Sequence, residues 1–119
     1  MPVLDTFTPD NLFAGNVFPI VTDKGTITGA SLVRGTVLGQ ITVGGKLVAV
    51  DSTKADGSQT VYAILAEDTD ASGGDKIAPV YLTGEFNEAS LTFGGTDTAA
   101  DHKGDARTLS IFFKTAVSA

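Results

Sequence analysis

The chain contains no cysteine and no tryptophan, and it has a single histidine. Without thiols it can form neither a disulfide nor a thiolate metal site, and one histidine is too few for a zinc centre. Basic residues are scarce: eight Lys and Arg stand against fourteen Asp and Glu, for a formal charge of −6. The cationic footprint that releases counterions from phosphates is therefore missing, and nucleic acid is not expected as a partner. No apolar run approaches the roughly 20 residues that a membrane-spanning helix needs, so no membrane partner is expected either. The start, Met1-Pro2-Val3-Leu4-Asp5, has no basic cluster ahead of an apolar stretch, and no secretory signal is expected.

What remains is a chain of 119 residues, 42% hydrophobic, which suits one domain with a real core. Its 14 glycines point to many turns rather than long helices, since about 12% glycine exceeds an average near 7%. Residues 1–20 stand apart from the rest. They hold Pro2, Pro9 and Pro19, three of the four prolines, and no Lys or Arg. Proline fixes its own φ and biases the residue before it towards extended geometry, so this stretch reads as an extended arm. It is rich in apolar anchors, including Phe7, Leu12, Phe13, Val17 and Phe18, with Thr8 and Pro9 among them. Two roles fit: packing on its own domain, or ordering against another chain by adding an edge strand.

Residues 21–119 read as a single β-rich domain, with strand character from residue 26 onward. Thr26–Thr28 and Ser31–Val33 flank Gly29, and Arg34–Val43 joins Lys46–Asp51 through Gly44-Gly45, a hairpin signal because glycine supplies positive φ. Asp51–Thr60 reads as a loop around Asp56-Gly57. Val61–Ala66 is apolar throughout and suits a strand covered on both faces. Glu67–Asp75 reads as an acidic loop. Ile77–Thr83 reads as a strand that Pro79 should confine to an edge or a bulge, and Glu85–Phe93 as a further strand. One short helix is expected, with N-cap candidates in Thr96–Asp101, Asp101 in capping-box spacing from Thr98, and two or three turns at most because Gly104 weakens its middle. Leu109–Lys114 closes the domain as a strand. The fold class is mainly β, a small sheet or barrel-like domain with one helix in its C-terminal half.

The chemistry-bearing patterns are weak. Gly29-Ala30-Ser31-Leu32-Val33 lacks the second glycine and the following helix of a nucleophile elbow. His102 falls on the helix beside Lys103, where a solvated, inert position is expected. Asp68-Thr69-Asp70-Ala71-Ser72-Gly73 begins like a calcium loop, but the closing acid would fall on Pro79, so local Asp turns are the simpler reading. The shorter stretch Asp51–Gly57 resembles such a loop less. Glu85 and Glu88, three apart on a strand, would point to opposite faces and not share a substrate. Gly35, Gly39, Gly44 and Gly45 lie within a hairpin and read as turn glycines, not a phosphate cradle. No enzyme, metal or cofactor is expected. The apolar surplus of the arm and of Val61–Ala66 fits self-association, since a symmetric oligomer buries such faces without extra chain.

Several blocks in order carry a resemblance: Arg34-Gly35-Thr36-Val37-Leu38-Gly39, Gly45-Lys46-Leu47-Val48, Val61 to Asp68, Val80 to Asn87, and Arg107 to Val117. Together they resemble the head-decoration proteins of tailed phages related to that of phage lambda. The resemblance implies a non-enzymatic homotrimer without cofactor on the outside of the expanded capsid, at three-fold or quasi-three-fold positions. It also implies an N-terminal arm that contacts the major capsid protein, a place that Pro2–Ile20 occupies here. The acidic loops Asp51–Asp56 and Glu67–Asp75 would then face solvent. The alternative from another class is a small oligomeric β module that binds a glycan or calcium through residues 68–75.

Overall fold

The computed structural model describes residues 20–114. Its centre is a closed barrel of five strands: β1 (Val21–Ile27), β3 (Val37–Gln40), β4 (Leu47–Ala49), β5 (Ala63–Leu65) and β7 (Lys76–Asn87). They pair in the order β1-β4-β3-β5-β7, and β1 returns to β7 to close the ring. The β1–β7 ladder is the longest, antiparallel from Val21↔Thr83 to Ile27↔Lys76, whereas β1 meets β4 only at Ile27↔Leu47. β8 (Ile111–Lys114) lies parallel to the end of β7, outside the ring. A two-stranded ribbon joins β2 (Ser31–Leu32) to β6 (Thr69–Asp70).

Alternation along the strands separates two cores, because successive side chains point to opposite faces. Leu38, Ala63, Leu65, Ala78 and Val80 fill one cluster with Ile27 and Leu47. Val37 and Ile64, each one residue out of phase, join Phe86, Ala106, Ile111 and Phe113 in the other. β5 is thus covered on both faces, as its unbroken apolar run implied. Along β7 the phase changes at Gly84, whose φ of +144° glycine tolerates best. Tyr81 before it and Phe86 after it then reach the same cluster, with ring centroids 5.8 Å apart.

The single helix, α1 (Ala99–Thr108), starts where its capping signals placed it. The Asp101 carboxylate accepts from the Thr98 backbone N–H at 2.8 Å, satisfying a donor the helix itself cannot. His102 and Ala106, four apart on one face, are its buried residues. The hairpin between β3 and β4 also matches, with Gly44 and Gly45 at φ of +94° and +74°.

Four expectations are corrected. Strand structure begins at Val21 rather than residue 26, because pairing with β7 carries the polar stretch Thr22–Gly25. The acidic stretch 67–75 is not wholly loop, since Thr69 and Asp70 pair with Leu32 and Ser31. Glu85–Phe93 is not a separate strand. β7 runs unbroken to Asn87, and a 3-10 turn follows at Glu88–Ser90, capped by Asn87 Oδ1 accepting from Ala89 N at 3.1 Å.

Pro79 supplies the fourth, for it lies neither on an edge strand nor at the β1–β7 bulge: β7 pairs with β1 on one side and β5 on the other. Ala66 N donates to Pro79 O at 3.0 Å, but proline has no N–H for the return bond. The Arg34 guanidinium takes that place, donating to Ala66 O at 2.7 Å and to Tyr81 Oη at 2.8 Å. A side chain thus completes the ladder where the backbone lacks a donor.

Candidate functional site

Candidate arm residues Phe7, Thr8, Pro9, Leu12, Phe13, Val17 and Phe18 lie outside the described residues. The described residues begin at Ile20. Ile20 and Val21 are exposed, at 42% and 47%. Ile20 lies against Gly84, since a β-carbon built there would sit 3.4 Å from Ile20 Cγ1. Gly84 in turn pairs with Ile111 of β8, so Ile20 lies beside the β7–β8 junction.

The aspartates of the acidic stretches spend their carboxylates on the chain itself. Asp68 Oδ1 accepts from Arg34 N at 2.8 Å, and Asp70 Oδ1 accepts from Ser72 N at 3.0 Å. Asp75 pairs with Lys46 Nζ at 2.6 Å and accepts from Thr28 Oγ1 at 2.7 Å. In the loop 51–60, Asp51 Oδ1 accepts from Thr53 N at 3.0 Å, and Asp56 Oδ1 from Ser58 N at 3.0 Å. These are the Asp turns that brace a loop from within. The accepted bonds hold Asp51, Asp56 and Asp70 below the usual carboxylate range, the hydroxyls of Thr53, Ser58 and Ser72 contributing most. Lys46 and Thr28 do the same for Asp75. Among the described residues no three His, Asp or Glu side chains gather in a metal-holding group.

His102 overturns its expected solvated position. It is 1% exposed, stacked against Phe93 with centroids 5.9 Å apart. Its Nε2 donates to Asp97 Oδ2 at 2.6 Å, while Nδ1 has no hydrogen-bond partner and lies 3.7 Å from Asp105 Oδ2. Asp97 also accepts from Ser52 N at 2.6 Å and Ser52 Oγ at 2.7 Å, and His102 followed by Ser52 pull its pKa down. Serine, aspartate and histidine therefore meet, but in an order useless for nucleophilic catalysis. Ser52 Oγ is bonded to the aspartate rather than the imidazole, so the imidazole does not face the hydroxyl. The arrangement ties the loop 51–60 to the start of α1. Glu85 and Glu88 pair with different lysines, Lys114 at 3.5 Å and Lys103 at 3.6 Å.

The sequence reading missed one cluster of charge. Lys103 and Arg107, one helical turn apart, and Lys114 of β8 line one cleft. The i, i+4 spacing of the first two carried that signal. No curated protein matches the chain. The family model described as Bacteriophage lambda head decoration protein D matches residues 4–110, nearly the whole chain and including the five-stranded barrel. The chain belongs to the bacteriophage lambda head decoration protein D family and is a structural protein of the phage head.

Proposed function

We propose that this chain cements the phage capsid: a homotrimer bound to the outer surface of the expanded shell, at three-fold and quasi-three-fold positions. Family membership over residues 4–110 is the observation that carries this reading. Packaged DNA pushes outward, and a trimer bridging neighbouring capsomers adds interface that must be lost before they part. Many copies on one lattice make the attachment multivalent, so modest individual contacts suffice. In this reading residues 1–20 form an arm distinct from the domain 21–119 and engage the major capsid protein, with Phe7, Leu12, Phe13, Val17 and Phe18 as apolar anchors. Exposed Ile20 and Val21 continue that apolar character onto the barrel. The acidic stretches face outward and keep decorated particles apart.

Light scattering of the purified chain, with and without empty expanded shells of its own phage, tests this. The expected result is a mass of three chains and co-sedimentation with shells. Deleting Pro2–Phe18 should leave a folded trimer that no longer decorates; undiminished binding by that deletion refutes the role of the arm. Failure of the full chain to bind its own shells refutes cementing. The calcium or glycan reading gains nothing from the geometry, because Asp68, Asp70 and Asp75 are already engaged by Arg34, Ser72 and Lys46.

A further inference from the structure

The cleft between α1 and β8 runs against the charge of the rest of the molecule. The chain has eight Lys and Arg and a net charge of −6, yet three of those cations, Lys103, Arg107 and Lys114, line this one feature. Phe112 and Phe113 complete its lining, and its volume is about 480 Å³. The lysines are only loosely engaged by their own chain. Lys103 stands 3.6 Å from Glu88 and Lys114 3.5 Å from Glu85, whereas Lys46 closes on Asp75 to 2.6 Å. Strong charge-assisted bonds are about 2.7–2.9 Å long, so both cleft lysines retain donor capacity. The Arg107 guanidinium makes no ion pair among the described residues. Arg107 also sits in the last turn of α1, at the negative end of the helix dipole, a favourable place for a cation but not a partner for its planar fork.

Lysines held only by long ion pairs, with an arginine that makes none among the described residues, suit an anionic partner. Planar, bidentate donors fit carboxylates, and aromatic residues below them supply apolar contact to the intervening side chains. We propose that this cleft docks an acidic, extended segment of the capsid protein, as a second anchor in addition to the arm; Ile20, the first described residue, lies at the adjoining β7–β8 junction. The inference rests on the cementing reading and adds to it the surface and the chemistry of its partner. Charge complementarity chooses that occupant: a polyanionic nucleic acid would be repelled by the net charge of the molecule, while a short acidic segment meets only the local field.

The test is co-sedimentation of the full-length chain with expanded shells of its own phage at about 0.05 M and 0.3 M salt, a range over which screening of exposed charges rises steeply. Three variants accompany the wild type: Lys103→Gln/Arg107→Gln/Lys114→Gln in the cleft, Arg107→Gln alone, and a control, Lys24→Gln/Lys54→Gln/Lys76→Gln, with the same change in net charge. Arg107→Gln loses no internal ion pair, so it reads binding even if the triple cleft variant folds poorly. The expected result at low salt is about a tenfold loss of affinity for the cleft triple variant, about threefold for Arg107→Gln, and little change for the control. High salt should weaken the wild type towards the cleft variant. Wild-type affinity in both cleft variants, or an equal loss in the control, overturns the inference and leaves cementing intact. No shell binding by the wild type at either salt overturns the cementing reading, and this inference with it.

Discussion

Gly39→Ala should be among the most damaging single-methyl changes in this protein. Gly39 lies in β3, paired with Val48 of β4, and Leu38 beside it pairs with both Ala49 and Ala63. A β-carbon there would overlap Ser58 O and sit 2.7 Å from Ser58 C and Cα, all backbone atoms. Neither side can retreat easily. Ser58 is fully buried, its N–H and hydroxyl are both held by Asp56, and its carbonyl accepts from Asp51 N. Carbon atoms pack best about 3.5–4.0 Å apart, so relief requires a shift of about 1 Å in paired backbone. Overpacking of this kind costs about 1–3 kcal/mol, and a clash with backbone places Gly39→Ala at about 3. For a domain of this size that lowers Tm by about 12 °C. The matched control is Gly104→Ala, on the exposed face of α1 with nothing within 4 Å of the added carbon. It should gain about 1 kcal/mol from helix propensity and raise Tm by a few degrees. Thermal unfolding followed by circular dichroism at neutral pH reads both. A Gly39→Ala midpoint within about 2 °C of wild type would refute the close-approach argument.

Arg34→Leu should cost about 1.5–3 kcal/mol in urea unfolding, because Ala66 O and Tyr81 Oη both lose a charged donor opposite Pro79; an unchanged midpoint would mean that water replaces the guanidinium. Phe86→Ala, at a fully buried position, should cost about 3–5 kcal/mol in the same assay. Asp51, Asp56, Asp70, Asp75 and Asp97 are all held below their ordinary pKa, so their stabilisation is complete above about pH 4 and is lost as pH falls through the folded-state values. Unfolding midpoints measured from pH 6 to pH 2 should therefore fall at the acid end, less steeply for Asp97→Asn; an identical slope in that variant would remove Asp97 from the account. Isothermal titration of the full chain with calcium should give no binding heat, and a saturable isotherm would revive the reading of residues 68–75 as a calcium loop.

Much of this fold was legible because local signals agreed with tertiary need. The Gly44-Gly45 turn, the doubly covered run around Ile64 and the Thr98/Asp101 helix start each combine a backbone preference with an apolar pattern. What could not be read depends on partners far along the chain. Thr22–Gly25 is polar and carries no strand signal, and it becomes a strand because β7 supplies its hydrogen bonds. Pro79 reads locally as an edge residue, and only the approach of Arg34, 45 positions away, makes an interior place tolerable. Gly84 marks a turn in any local reading, yet here it lets one long strand serve the barrel at one end and β8 at the other.

The same division explains the polar residues. The Asp70–Ser72 turn was legible because Asp and Ser two residues apart bond across that gap whatever the fold, whereas Asp68 caps Arg34 N from 34 positions away. His102 was not, because its burial is decided by Phe93 and Asp97 in the stretch before α1 and by Ser52 in the loop 51–60. That burial changes how a substitution there must be read. His102→Ala removes a packed ring and one of the donors to Asp97, leaving only those of Ser52, so it should lower Tm, and lost decoration would reflect unfolding unless measured well below the new midpoint. Lys103, Arg107 and Lys114 are the opposite case: exposed, loosely paired, and removable at small cost to the fold. If decoration is electrostatically guided, the informative substitutions are therefore those at the cleft, where stability and binding can be separated.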